Sequence, residues 1–221
     1  MLANLPYDPI RDFSPIGLIG TSPFLLIAHP SLPASSAREL IALAKSKPGE
    51  LTYASFGNGS INHLGAELFN SMANIEVRHI PYRGGAPALA DLIAGRTNFT
   101  FDGSAAIPAI RAGQIKLLAV GSAERWHGFA DVPTVAESAL PGFDLSTWYG
   151  LFAPAKTPQH VVQLLNAKLN EVLELPQAKE SFAKMGFDPA GGPPEVLTKK
   201  VQNEVAKWVD VARKKNIKVE P

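Results

Sequence analysis

The sequence predicts an α/β protein in which short strands alternate with helices and form a largely parallel sheet covered on both faces. Three observations predict it. Apolar strand-like runs and helical patterns alternate regularly between Phe13 and Val120. Turn formers such as Thr21-Ser22-Pro23, Pro48-Gly49 and Pro81-Tyr82-Arg83-Gly84 punctuate the junctions. A strand, a small-residue loop and a helix start follow one another directly from Leu51 to Phe69.

Taken in order, Phe13 to Gly20 and Phe24 to His29 are continuous enough in apolar character to be buried strands. Ser36-Ala37-Arg38-Glu39 matches a capping box and opens a helix that carries Leu40, Ile41 and Leu43 inward until Pro48-Gly49. The Leu51 strand, the glycine loop and a helix from Ser60 to Met72 follow, with Ile61, Leu64, Leu68 and Met72 expected on the buried face. Strand Ile75 to Ile80, a helix through Leu89, Leu92 and Ile93, strand Asn98 to Phe101, a short helix over Ile107 and Ile110, and strand Ile115 to Val120 complete the block.

Residues 123 to 146 are rich in turn formers and hold one short helix with a second capping box, Thr134-Val135-Ala136-Glu137. Thr147 to Ala153 is strand-like. Thr157-Pro158 supplies an N-cap and a first-turn proline for the next helix. Helices then run from Pro176 to Met185 and from Pro193 to about Lys215, the last amphipathic through Leu197, Val201, Val205, Trp208 and Ala212.

Composition narrows the function. At 221 residues and 46% hydrophobic content the chain can bury a sizeable core. Lys plus Arg number 21 against 20 for Asp plus Glu, so no overall field draws it to nucleic acid or an anionic membrane. The absence of cysteine removes thiolate metal sites and a Cys nucleophile. The longest apolar stretch, Ile16 to Ala28, is broken by small and turn residues and falls short of the ~20 residues of a spanning helix. Residues 1 to 8 have neither a basic nor a long apolar region of the kind a secretory signal carries.

Ser55-Phe56-Gly57-Asn58-Gly59-Ser60 is the most informative segment. Helix N-termini present unpaired N–H groups and the positive end of the dipole, and glycines remove side chains that would keep an anion away. The loop therefore suits a carboxylate or phosphate; a tight turn with Ser60 as a simple cap accounts for the same residues. Ligands of α/β sheets bind at the carboxyl ends of strands. There, Ser55, Gly57, Asn58, Gly59 and Ser60 are joined by His63, by Tyr82 and Arg83, and by Asp102 after its strand.

Reactive chemistry finds little support. Gly57-Asn58-Gly59 lacks the third glycine and the acidic residue of a dinucleotide site, and no Walker loop or Gly-x-Ser-x-Gly elbow occurs. Ser181-Phe182-Ala183-Lys184 matches Ser-x-x-Lys without its partner motifs. His29, His63, His79, His127 and His160 form no pair at metal-binding spacing, so neither a metal nor a cofactor is expected.

Several ordered motifs carry a resemblance. Leu5-Pro6-Tyr7-Asp8-Pro9 with Asp12-Phe13, His29-Pro30-Ser31, Tyr53 to Ser60 with His63-Leu64, Pro81-Tyr82-Arg83-Gly84, and Asp131-Val132-Pro133-Thr134 with Pro141-Gly142 are similar, in that order, to the Bug family. These are substrate-binding receptors of tripartite tricarboxylate transporters. The resemblance implies a type II periplasmic binding-protein fold, two α/β domains that close on a small carboxylate, with Ser55 to Ser60 as one jaw and Trp148 of Trp148-Tyr149-Gly150 near the cleft. It implies a periplasmic, non-enzymatic receptor whose partners are the carboxylate and the transporter's membrane components, with no nucleic acid.

On this resemblance, residues 1–29 are the remainder of domain one, 30–122 a complete domain two, 123–146 a crossover and 147–221 a return to domain one. Family members carry a further N-terminal segment with a signal peptide and the other jaw, so the chain is expected to be a truncated member. Two other classes stay open: a cytosolic ligand-sensing domain, and a carboxylate-acting enzyme using Asp102 and His63.

Overall fold

Strands of two to eleven residues among the described residues form two sheets. The computed structural model describes residues 6–217. They fall into two units, one made of residues 6–22 and Thr147–Arg213, the other of Pro23–Ser146 with 214–217.

In the second unit the strands are β2 (Leu25–Ala28), β3 (Thr52–Ser55), β4 (Arg78–Pro81), β5 (Phe99–Asp102) and β6 (Lys116–Val120); β1 (Phe13–Pro23) lies in the first. Their order is β4-β3-β5-β2-β6. β3 runs parallel to β4 and β5, as the alternation predicts. β2 departs from it, pairing antiparallel with both β5 and β6. β2 joins this sheet although it sits in the 1–29 segment expected to complete the other domain.

Helices α1 (Ala37–Ser46), α2 (Ile61–Ala73), α3 (Gly85–Ile93), α4 (Ile107–Arg111) and α5 (Val135–Ser138) belong to this unit. Ser36 Oγ accepts from the Glu39 amide at 3.2 Å, so the cap of α1 forms, while Glu39 reaches the Ser35 amide instead of that of Ser36. The Thr134 box of α5 is complete, with both reciprocal bonds present. Aromatic rings fill one layer: Phe69 meets Phe101 edge-on at 5.6 Å and Phe101 stacks on Phe143 at 5.6 Å. Leu25, Ile27, Leu92, Ile115, Val120 and Trp126 form another cluster. Each such side chain contributes about 1.5–3 kcal/mol by leaving water.

The buried face of α2 differs from the expected one. Asn62, His63, Ala66, Phe69, Asn70 and Ala73 are buried together with Leu64, whereas Met72 is 39% exposed. The reason is local space as well as hydrophobicity. A Cβ on Gly65 would lie 2.2 Å from Leu145, so the glycine lets α2 approach that side chain.

In the first unit β7 (Ser146–Pro154), β1 and β8 (Asp188–Pro189) form a sheet in the order β7-β1-β8, with Gly20 opposite Pro189. Helices α6 (Gln159–Glu174), α7 (Pro176–Met185) and α8 (Pro194–Lys214) accompany it. The expected Thr157 cap is not used. Pro158 itself occupies the N-cap position in extended conformation and no side chain caps the helix. Leu18, Leu197 and Val201 bury one another, with Trp148, Phe152 and Val205 against them. No helix among the described residues is long and apolar enough to cross a membrane.

Candidate functional site

β3 delivers Ser55 to the carboxyl edge of the second unit's sheet, and the chain turns through Gly57 and Gly59, both at positive φ, into α2. Most of the loop's polar groups are satisfied within it. The Gly57 amide donates to Ser55 Oγ at 3.2 Å and the Phe56 amide to Asn62 Oδ1 at 3.1 Å. The Gly59 amide donates to His63 Nδ1 at 3.0 Å, and the Ser60 amide to the Gly57 carbonyl. Ser60 is the N-cap residue, yet its hydroxyl does not cap the helix; it faces the Gly57 carbonyl at 2.6 Å and Asn62 Oδ1 at 2.8 Å.

Four amides are left over. Among the described residues no protein acceptor meets those of Asn58, Ile61, Asn62 and His63. Asn62 is fully enclosed, whereas Asn58 is exposed and Ile61 half-buried. The two of these amides on residues that are not buried, Asn58 and Ile61, lie at the positive end of a 13-residue helix. The Gly57 and Gly59 amides are used within the loop, and both residues shape its turn at positive φ.

The second loop, after β4, is tied to the first. The Tyr82 amide donates to the Ser55 carbonyl at 2.9 Å, and a Cβ on Gly57 would lie 3.3 Å from the Tyr82 carbonyl. The Tyr82 hydroxyl is engaged elsewhere, donating to Asp91 Oδ2 at 2.8 Å, while Arg96 holds the other oxygen of Asp91. Arg83 is exposed. Asn62 Nδ2 reaches the Phe101 carbonyl at 3.3 Å and so links α2 to the end of β5, where Asp102 follows.

Asp102 is 3% exposed. One carboxyl oxygen accepts from the Gly103 amide at 2.7 Å and the other is buried without a partner. Burial pushes its carboxyl up to about 6, against the opposing pull of the Gly103 amide. Asp102 bonds to Gly103 and His63 to Gly59, with no hydrogen bond between the two acid–base candidates. Trp148 lies in the first unit, among the residues around Leu197.

Sequence reasoning missed the layer beneath the loop. Ser55 Oγ lies 2.5 Å from His79 Nε2, and the His79 ring stacks on that of His63 with centroids 4.0 Å apart and planes inclined by 9°. The Tyr53 ring packs beside the pair, 4.9 Å from His79 and 6.4 Å from His63 by centroids, and its hydroxyl donates to Glu67 Oε1 at 2.7 Å. Lys215 pairs with Glu67 at 3.5 Å. Burial holds the His63 imidazole below its usual range, against Glu67. Burial, then the charge of His63, lowers His79 to about 4. Both rings are neutral near pH 7. An open pocket of about 350 Å³ is lined by Asn58, His63, Glu67, Lys215, Asn216 and Ile217. Among the described residues no group of three or more His, Asp or Glu side chains could hold a metal. The sequence signal for the layer was one histidine in α2 and another in β4.

Comparison with known proteins bears on this site. A family model described as "Tripartite tricarboxylate transporter family receptor" matches residues 1–217. A relative from Pseudomonas sp. (strain P51), the UPF0065 protein in the tcbD-tcbE intergenic region, is 39% identical over 207 residues, which are 93% of this chain and 62% of the relative. The chain thus spans less than two thirds of that relative's length. The solved structure of R. palustris Rpa4515 with adipate matches with a TM-score of 0.83 and 37% identity, over 96% of this chain and 71% of that one. MatC (Rpa3494) from Rhodopseudomonas palustris with bound malate matches with a TM-score of 0.79 and 32% identity, over 95% and 73%. The two α/β units therefore have the type II periplasmic binding-protein fold, and the chain belongs to the tripartite tricarboxylate transporter receptor family.

Proposed function

We propose that the chain captures a small carboxylate, of the size of malate or adipate, as an extracytoplasmic receptor serving the membrane components of a tripartite tricarboxylate-type transporter. The observation that carries this is the pair of amides, at Asn58 and Ile61, that no acceptor among the described residues meets at the positive end of α2. A carboxylate oxygen is a strong acceptor for such donors, and the dipole adds ~0.3–1 kcal/mol, more where the group is partly buried. Two structural relatives were solved with dicarboxylates, adipate and malate, which supports the ligand class. The family is one of receptors, which favours capture over the enzymatic alternative.

Within the site, Ser55, Gly57, Gly59 and Ser60 build the turn, Asn58 and the helix start meet the anion, and Tyr82 braces the loop through its backbone. Arg83, free on the surface, contributes positive charge on approach. Asp102 orders the turn after β5 by accepting from the Gly103 amide.

Calorimetry with adipate and adipamide on the 221-residue chain tests the proposal. Adipamide, isosteric but uncharged, is expected to bind at least about threefold more weakly. Equal affinity for the two, or binding of neither, overturns it.

A further inference from the structure

The stacked histidines are placed where only a structural reason or a functional one could put them: directly under the anion-receiving loop. Each ring holds one end of it. His63 Nδ1 accepts the Gly59 amide, so the proton of the neutral ring resides on Nε2. Ser55 Oγ accepts from the Gly57 amide, lies 3.3 Å from the Gly57 carbonyl and is hydrogen-bonded to His79 Nε2 at 2.5 Å. A neutral His63 is thus the acceptor that closes the turn at Gly59, and His79 holds Ser55 at its other end.

We propose that the neutral His63–His79 pair positions the Ser55–Ser60 loop for carboxylate capture, and that a proton taken up on His63 releases Gly59 and weakens capture. The proposal rests on the carboxylate-receptor function proposed above. The chemistry is simple. A proton on His63 Nδ1 sets N–H against N–H across 3.0 Å, and the Gly59 amide loses its acceptor. The stack adds a second constraint, since two imidazolium rings 4.0 Å apart repel, and only one ring charges at a time.

The groups that face the pair oppose one another. Glu67 on α2 favours a charged ring, while burial, with Tyr53 of β3 packed beside the pair, disfavours it, and Lys215 after α8 offsets Glu67 at 3.5 Å. His63 also lines the open pocket with Asn58 and Glu67, which gives solvent protons a route to the ring.

Nuclear magnetic resonance of the ligand-free chain provides the first test, following the ring nitrogens of both histidines and the Gly59 amide during acidification. The Gly59 amide is expected to move with the midpoint of His63, below the ~6.5 of a free histidine. An unmoved Gly59 amide while His63 titrates, or a neutral His63 with its proton on Nδ1, overturns the proposal whether or not adipate binds.

Adipate calorimetry on two variants supplies the second test. In His63→Asn the amide oxygen stands where Nδ1 stood and does not titrate, whereas His63→Leu removes the acceptor. His63→Leu is expected to bind about tenfold more weakly than the parent, and His63→Asn to recover much of that loss and to lack the parent's fall in affinity on acidification. Equal loss in the two variants, or an undiminished pH dependence in His63→Asn, overturns the positioning role. Failure of the parent to bind adipate while Gly59 and His63 titrate together removes the receptor function and leaves the loop mechanism standing.

Discussion

Gly59 sits at φ 75° between the exposed Asn58 and the N-cap Ser60, and its amide is held by His63. Valine at this position carries a branched Cβ that disfavours positive φ. Gly59→Val is expected to abolish carboxylate binding in calorimetry while the circular dichroism of the chain persists; unchanged affinity would reduce the loop to a simple turn. Asp102 offers a pH test. Its folded pKa of about 6 lies above the ~3.9 of an unfolded Asp, so its contribution is present in full below ~3.9 and is lost as pH rises through 6. His79, lowered to about 4, has the opposite sign: its contribution is present above ~6.5 and is lost as pH falls through 4. The two slopes oppose between these limits. Asp102→Asn is therefore expected to be more stable than the parent near pH 7 and to lose stability more steeply on acidification, measured by urea unfolding at a series of pH values. Parallel curves for the two proteins would show that Asp102 does not titrate in this way. The glycine loop itself was legible, because positive-φ turns are written in glycine. His79 was not, since its meeting with Ser55 depends on the parallel register that sets Tyr53 beside His79.

Helices show the same division between local and distant causes. The Thr134 box of α5 was readable from four residues, because both of its bonds close within one turn. Thr134→Ala is expected to lower stability by about 1 kcal/mol in denaturant unfolding, with no change in denaturant slope. The face of α2 was not readable. Periodicity counted Leu68 and Met72 inward, but Asn62 and His63 are buried because the Phe101 carbonyl and the Gly59 amide satisfy them. Phe69→Ala is expected to cost about 3–5 kcal/mol, as a fully buried ring in contact with Phe99, Phe101 and Phe143. Met72→Ala should stay within about 0.5 kcal/mol. Similar losses for both would restore the expected face.

At the scale of the whole molecule the two units differ in how they cover themselves. The second has a five-stranded sheet with apolar clusters formed by buried aromatic and aliphatic side chains. The first has three strands, of which β8 contains two residues, and β7 sits at an edge. Its helices leave Leu164, Val172, Leu175 and Met185 more than half exposed. Exposed apolar side chains and an open strand edge favour association between chains. The 221-residue chain is expected to self-associate in size-exclusion chromatography and to bind a hydrophobic dye, with hydrogen exchange slower across Pro23–Ser146 than across β1 and β7. A monodisperse monomer with uniform protection would show that the first unit is self-sufficient.

By itself the sequence determined the α/β class, most helices and strands, the caps of α1 and α5 and the glycine turn after β3, because each is specified by residues near one another in the chain. Ordered motifs along its whole length also determined the family. Tertiary structure alone decided the direction of β2, the buried face of α2, the inward use of the Gly57 and Gly59 amides, and the imidazole pair beneath them. These depend on which strand lies beside which and on partners that arrive from distant segments: Leu145 against Gly65, Phe101 against Asn62, His79 against Ser55. A buried polar group is stable only when such a partner is present, and neither composition nor periodicity records where that partner will be.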